Sequence, residues 1–164
     1  MSQCGIQYFQ SHEKGKVVFM VASKYKFSMP LKIRVGDINY GNHVGHETFF
    51  SFFQEARIAY LDQFGFSEFD IGGCGMMISE ANCRYRQELN FGDDVIVRCS
   101  VSKLKTRSFT MDYQILRGDD LCAVGFTIAL CYDYREKKIV YLPQEFVAAI
   151  HEFEGMGFSK GGTE

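Results

Sequence analysis

At 164 residues with a formal net charge of −2, the chain suits one domain with a core of its own, and its charge argues against a nucleic-acid binder. Hydrophobic residues make up 46% and charged residues 23%, close to globular averages. No apolar run approaches the ~20 residues that span a bilayer, and Val17 to Ala22 is shorter than the ~7 residues of a signal core, so a cytoplasmic protein with no membrane partner is expected.

Residues 1–26 are mixed and polar without sustained periodicity, and are expected to form an N-terminal appendage, partly disordered. A strand-like run from Leu31 to Val35 ends in the loop Gly36-Asp37-Ile38-Asn39-Tyr40-Gly41-Asn42-His43-Val44-Gly45-His46. A helix is predicted from Glu47 to Phe64, stopped by Gly65. Phe49, Phe50, Phe52, Phe53, Ala56, Ile58, Ala59, Tyr60, Leu61 and Phe64 leave little of it polar, which predicts a buried helix. Strands are predicted over Met76–Gln87, Asp93–Lys105, Ser108–Arg117 and Leu121–Tyr134. Gly92-Asp93, Lys105-Thr106 and Gly118-Asp119-Asp120 mark the turns between them. A short strand at Ile139–Tyr141 and a helix over Gln144–Glu154, after Pro143, complete a domain spanning 27–154. Residues 155–164 carry four glycines and are expected to be a flexible tail.

The loop before the first helix is where chemistry is expected. Unpaired backbone N–H groups and the helix dipole favour a developing negative charge at a helix N-terminus, and a reaction that passes through an oxyanion needs such a place. Asp37, His43, Glu47 and Glu55 are the ionisable groups nearby in sequence. Glu47, Ser51 and Gln54 fall at i, i+4 and i+7, so one helix face can present all three. Lys103, Lys105 and Arg107 lie within five residues beside Ser108, a donor cluster suited to phosphate or to a solvated turn. The six cysteines form no Cys-x-x-Cys pair and lack clustered histidines, so neither a disulfide framework nor a zinc site is expected. Cys74, between glycines, has no positioned base nearby for thiolate chemistry. Cys83, Cys99, Cys122 and Cys131 are expected to act as small hydrophobes.

Asp37, His43, Val44 and the run Glu55-Ala56-Arg57 resemble the loop and aromatic helix of the hotdog-fold acyl-CoA thioesterases, in the 4-hydroxybenzoyl-CoA thioesterase-like branch. The likeness continues through Glu80 to Arg86, Phe91 to Val95, Lys105 to Phe109 and Leu142 to Glu145, covering about residue 27 to about residue 150. It implies an α+β fold in which a long antiparallel sheet wraps one central helix. It implies a thioesterase that hydrolyses an acyl-CoA or acyl-carrier thioester to free acid and thiol, with coenzyme A as part of the substrate and no metal or other cofactor. A homodimer or a dimer of dimers, with active sites at subunit boundaries, is implied as well.

By the same resemblance the carbonyl polariser is the backbone N–H of His46, and the coenzyme grip is Lys103, Lys105, Arg107 and Ser108. The two positions where the family carries a catalytic carboxylate hold Asn39 and Gln54 here. An amide can orient water or a carbonyl but cannot act as a base near neutral pH. Glu47 is the expected substitute, with Asn39 holding water or thioester, Gln54 on the substrate face, and His43 and Asp37 as the remaining candidates. Glu55 is expected to pair with Arg57 or a partner. The lost carboxylates leave two alternatives, a non-catalytic acyl-thioester binding protein and a hotdog hydratase or dehydratase.

Overall fold

The computed structural model describes residues 8–13, 16–21 and 24–156. The tail expected beyond 156 lies outside the described residues. Within the N-terminal appendage, β1 (Tyr8–Glu13) and β2 (Lys16–Val21) pair antiparallel as a separate two-stranded sheet, where the sequence reading assigned no element.

The main sheet takes β3 (Phe27–Lys32), β4 (Gly75–Tyr85), β5 (Asp94–Leu104), β6 (Ser108–Arg117), β7 (Asp120–Asp133) and the two-residue β8 (Lys138–Ile139). It is antiparallel throughout, in the order β3-β5-β6-β7-β4, with β8 paired to β7. The order makes β3 and β4 the edges. β3 starts four residues before the expected strand and stops at Lys32, giving way to a 3-10 turn over Val35–Asp37. Pro30 sits inside it, opposite Ile96; an edge strand tolerates proline because one row of its donors needs no partner.

The long helix α1 (Thr48–Asp62) lies across one face of the sheet, and α2 (Gln144–Glu154) follows Pro143. Phe52, Phe53, Ala56, Tyr60 and Leu61 of α1 are fully buried, each large side chain contributing roughly 1.5–3 kcal/mol of burial. The Phe53 ring stacks on Tyr113 of β6, with centroids 4.5 Å apart and planes 14° from parallel. Gly125 on β7 makes room for that approach, since a Cβ there would strike the Phe53 ring and the Asn82 carbonyl. The helix is not buried all round, however. Ser51 and Gln54 are exposed and Ile58 is 48% exposed, so within this single chain α1 keeps one open face.

Burial of α1 also encloses a charge. Arg57 is 5% exposed and donates from Nε to Glu68 Oε1 at 2.7 Å and from Nη1 to the Tyr113 hydroxyl at 3.2 Å. That hydroxyl shares a 3.0 Å hydrogen bond with Thr127. Residues two apart on a helix do not face each other, so the expected Glu55–Arg57 pair does not form. Glu55 instead lies 3.7 Å from Arg34.

Cys74 and Cys131 form a disulfide across 57 residues of sequence, their Cα atoms 6.5 Å apart. This overturns the expectation that no cysteines are bridged and that Cys131 serves only as a small hydrophobe. The cause is register: β7 sets Cys131 opposite Met76, two residues beyond Cys74, and no spacing motif announces such a pair. Cys83, Cys99 and Cys122 are free.

Candidate active site

The loop between the 3-10 turn and α1 folds back on itself. Ile38 and Val44 form an antiparallel bridge, the Asn39 N–H donates to the His43 carbonyl at 2.9 Å, and the Asn42 N–H donates to the Asn39 carbonyl at 3.0 Å. Asn42 takes a positive φ of 62°, a conformation its short polar side chain tolerates. Two further bonds dock the loop. The Val44 N–H donates to the Leu89 carbonyl at 2.9 Å, and the Gly45 N–H to the Asp37 carbonyl at 3.2 Å.

Docking against the segment after β4 leaves a cleft of about 360 Å³, bordered by Asn39, His43, His46, Phe49, Tyr85 and Arg86 among others. α1 begins at its edge. The Thr48 N–H is taken by the Gly45 carbonyl at 3.0 Å, whereas the His46 N–H finds no hydrogen-bond acceptor among the described residues. Glu47 is 68% exposed, with Oε2 3.3 Å from His46 Nδ1. Its carboxylate lies over Gly45, where any side chain would run into it.

The candidate residues divide between two places. Asn39, His43 and the His46 backbone come together at the cleft, with Glu47 beside them. Asn39 Oδ1 already accepts the Gly41 N–H at 2.8 Å, leaving its amino group to donate. Asp37 is not part of the cleft lining. It is 8% exposed, and its carboxylate accepts from the Arg34 N–H at 2.7 Å and lies 3.4 Å from the Arg34 guanidinium. Gln54 is likewise absent from the lining, and its Nε2 donates to Glu68 at 3.1 Å.

The basic cluster sits at the other end of the sheet. Ser108 opens β6 opposite Leu130 of β7, while Tyr85 closes β4 opposite Ala123 of the same strand. Seven residues of β7 separate the two levels, roughly 23 Å of strand. There Lys103 and Lys105 border a groove of about 560 Å³ with Tyr141 and His151, and the Arg107 guanidinium lies 4.6 Å over the Tyr141 ring. The Lys105 N–H closes the turn on the Ser108 carbonyl at 2.8 Å.

Sequence reasoning missed the wall contributed by Tyr85, Arg86 and Leu89, treating that stretch as strand alone. No local signal marks it, because it reaches the cleft through the Val44–Leu89 bond, which joins residues 45 apart in sequence. Tyr85 donates to the His46 carbonyl at 2.9 Å. Burial pushes the Tyr85 hydroxyl pKa up, and the nearby Cys83 and Glu47 add to the shift. The neighbouring Cys83 thiol is pushed up to about 11 by burial, so it is held as a thiol rather than a nucleophilic thiolate.

The sequence profile of the thioesterase-like superfamily matches residues 33–150, and the chain belongs to that family. The acyl-CoA thioesterase YbgC of Haemophilus influenzae is 23% identical over 131 residues, covering 78% of this chain and 96% of that protein. Among solved structures, Slr0204, a 1,4-dihydroxy-2-naphthoyl-CoA thioesterase from Synechocystis, superimposes with a TM-score of 0.69 at 22% identity, covering 76% of this chain and 94% of the other. The gentisyl-coenzyme A thioesterase BH1999 gives a TM-score of 0.69 at 21% identity, with 76% and 99% covered. These likenesses confirm the hotdog fold expected from the loop and helix.

Proposed function

We propose that the protein hydrolyses an acyl-CoA or acyl-carrier thioester to a carboxylic acid and a free thiol. The observation that carries this reading is the free His46 N–H at the start of α1, opening on a cleft beside a carboxylate. Water attacks the thioester carbonyl, the carbonyl oxygen becomes an oxyanion at the His46 N–H, and collapse of the tetrahedral intermediate breaks the C–S bond. Preorganised donors of this kind are the largest single contribution in acyl transfer. Glu47 takes the proton from water, and the leaving thiolate is protonated on release. Asn39 donates from its amino group to water or thioester, and no metal or organic cofactor takes part. Support comes from the family membership and from the name of the Haemophilus influenzae relative.

The working unit in this reading is a homodimer or a dimer of dimers. Two features support it: the free outer edge of β4 and the open face of α1 around Ile58. Coenzyme phosphates go to Lys103, Lys105 and Arg107, either spanning the roughly 23 Å along one sheet or reaching the basic turn of a second copy. A cytoplasmic location completes the reading, and cell fractionation tests it.

A thiol-release screen over acyl-CoAs from acetyl to palmitoyl, with benzoyl forms, tests the activity. At least one substrate should lose its thiol faster than in buffer. Binding without any release would favour instead the acyl-thioester binding protein, the reading suggested by Asn39 and Gln54 standing where the family carries acids. Water loss from a 3-hydroxyacyl thioester would point to a hydratase or dehydratase.

A further inference from the structure

Tyr85 ends β4 at the cleft and touches α1 on both sides of its first residue. Its hydroxyl donates to the His46 carbonyl at 2.9 Å. Its ring meets Phe49 edge-on, with centroids 5.0 Å apart and planes at 74°. Glu47 and Thr48 lie between these two anchors, so one side chain from the sheet grips both ends of the turn that starts the helix.

The His46 carbonyl and the Glu47 N–H share one peptide plane, which cannot twist without large cost. Holding that oxygen therefore fixes the plane and limits the backbone rotation at His46 that would swing the His46 N–H out of the cleft. Burial raises the Tyr85 pKa, which keeps the hydroxyl protonated as a donor. No other side chain bonds to the His46 carbonyl among the described residues.

We propose that Tyr85 is a positioning residue for thioester hydrolysis: through the His46 carbonyl it holds the loop–helix junction where a backbone N–H meets the oxyanion. The proposal rests on the thioesterase reading. An oxyanion donor has to stand 2.7–3.1 Å from the developing charge, and a displacement of about 1 Å can cost about 10²-fold in rate. Because the substrate carbonyl makes this contact at full strength only in the transition state, the loss should fall on kcat rather than KM.

The test is Tyr85→Phe, which keeps the ring against Phe49 and removes only the donor, with Tyr85→Leu removing both. Tyr85→Phe should lower kcat roughly five- to fiftyfold with KM within about twofold, and residues 43–49 should exchange amide hydrogens faster than in the parent. Tyr85→Leu should lose melting temperature as well. A Tyr85→Phe enzyme with the parent's kcat overturns the proposal, as does exchange over 43–49 that is unchanged. If the parent releases thiol from no acyl-CoA, the thioesterase reading fails separately, and the exchange measurement alone decides whether Tyr85 holds the junction.

Discussion

The two ends of the main sheet are built by different means. At the cleft end, single backbone hydrogen bonds join loops that are far apart in sequence: Val44 to Leu89, Gly45 to Asp37 and Gly92 to Ile33. At the basic end the strands run on into a closed turn. There Cys131 donates its N–H to the Arg107 carbonyl at 2.9 Å and accepts from Val140 at 3.0 Å, a disulfide ties Cys131 to Cys74, and Arg107 is stacked on Tyr141. One end leaves polar groups uncommitted around a cleft, and the other fixes cations on a stiff frame. The contrast assigns turnover to the first end and grip on the coenzyme to the second, so changes at each should show in different kinetic constants.

The largest effect should come from Glu47→Gln, which keeps size and polarity while removing the base. Turnover should fall about 10²–10⁴-fold, and the melting temperature should move little because the side chain is 68% exposed. The rate should also stop rising with pH over the range in which a carboxylate deprotonates. Should Glu47→Gln turn over normally while His43→Ala does not, the base belongs to the loop and the cleft is organised differently from the reading above.

How much of this was legible in the sequence follows from how far each feature depends on register. β6 and α2 have the expected boundaries, Ser108–Arg117 and Gln144–Glu154, because strong local signals flank them: Lys105-Thr106, Gly118-Asp119-Asp120 and Pro143. The chemistry of Asn39, His43 and His46 was legible because all three sit on one short loop that closes on itself. Tyr85 and the Cys74–Cys131 bond were not, since each depends on which residue of one strand or loop faces which residue of another. The distance between Lys105 and the cleft belongs to the same class, for nothing in a linear chain says that two functional clusters lie at opposite ends of one strand. The α1 surface was misjudged for a related reason: hydrophobic residues on nearly every side predict burial, yet the face with Ile58 is open in one chain.

A smaller effect, and one confined to binding, should follow from replacing Lys105 and Arg107 with alanine. A charge-assisted hydrogen bond is worth about 1.5–3 kcal/mol. Solvent screening at this exposed turn should pull the loss towards the low end, and it should shrink further in high salt. KM should therefore rise roughly tenfold with turnover preserved, since contacts remote from the scissile bond hold substrate and transition state alike. Free coenzyme A bound by the double variant as tightly as by the parent would mean that the turn is solvated surface.

The smallest effect on catalysis should come from opening the Cys74–Cys131 bond, and it separates the two ends most sharply. The bond closes a loop of 57 residues, worth about 4 kcal/mol in a chain-entropy account and typically 2–4 kcal/mol when measured. For a chain of this size that is a fall of roughly 5–15 °C in melting temperature, read by calorimetry with and without a dithiol reductant. Cys131 anchors the Arg107 carbonyl, so slackness there should reach the basic turn and raise KM by a factor of about two or three. The cleft is reached from Cys131 only through most of the length of β7 or through the core, and its own loop bonds do not involve either cysteine. Turnover should therefore be unchanged in the reduced parent and in Cys74→Ser, and reductant should have no further effect on the variant. A loss of turnover comparable to that of Glu47→Gln would show that the two ends work as one mechanical unit, and the division drawn between grip and chemistry would fall.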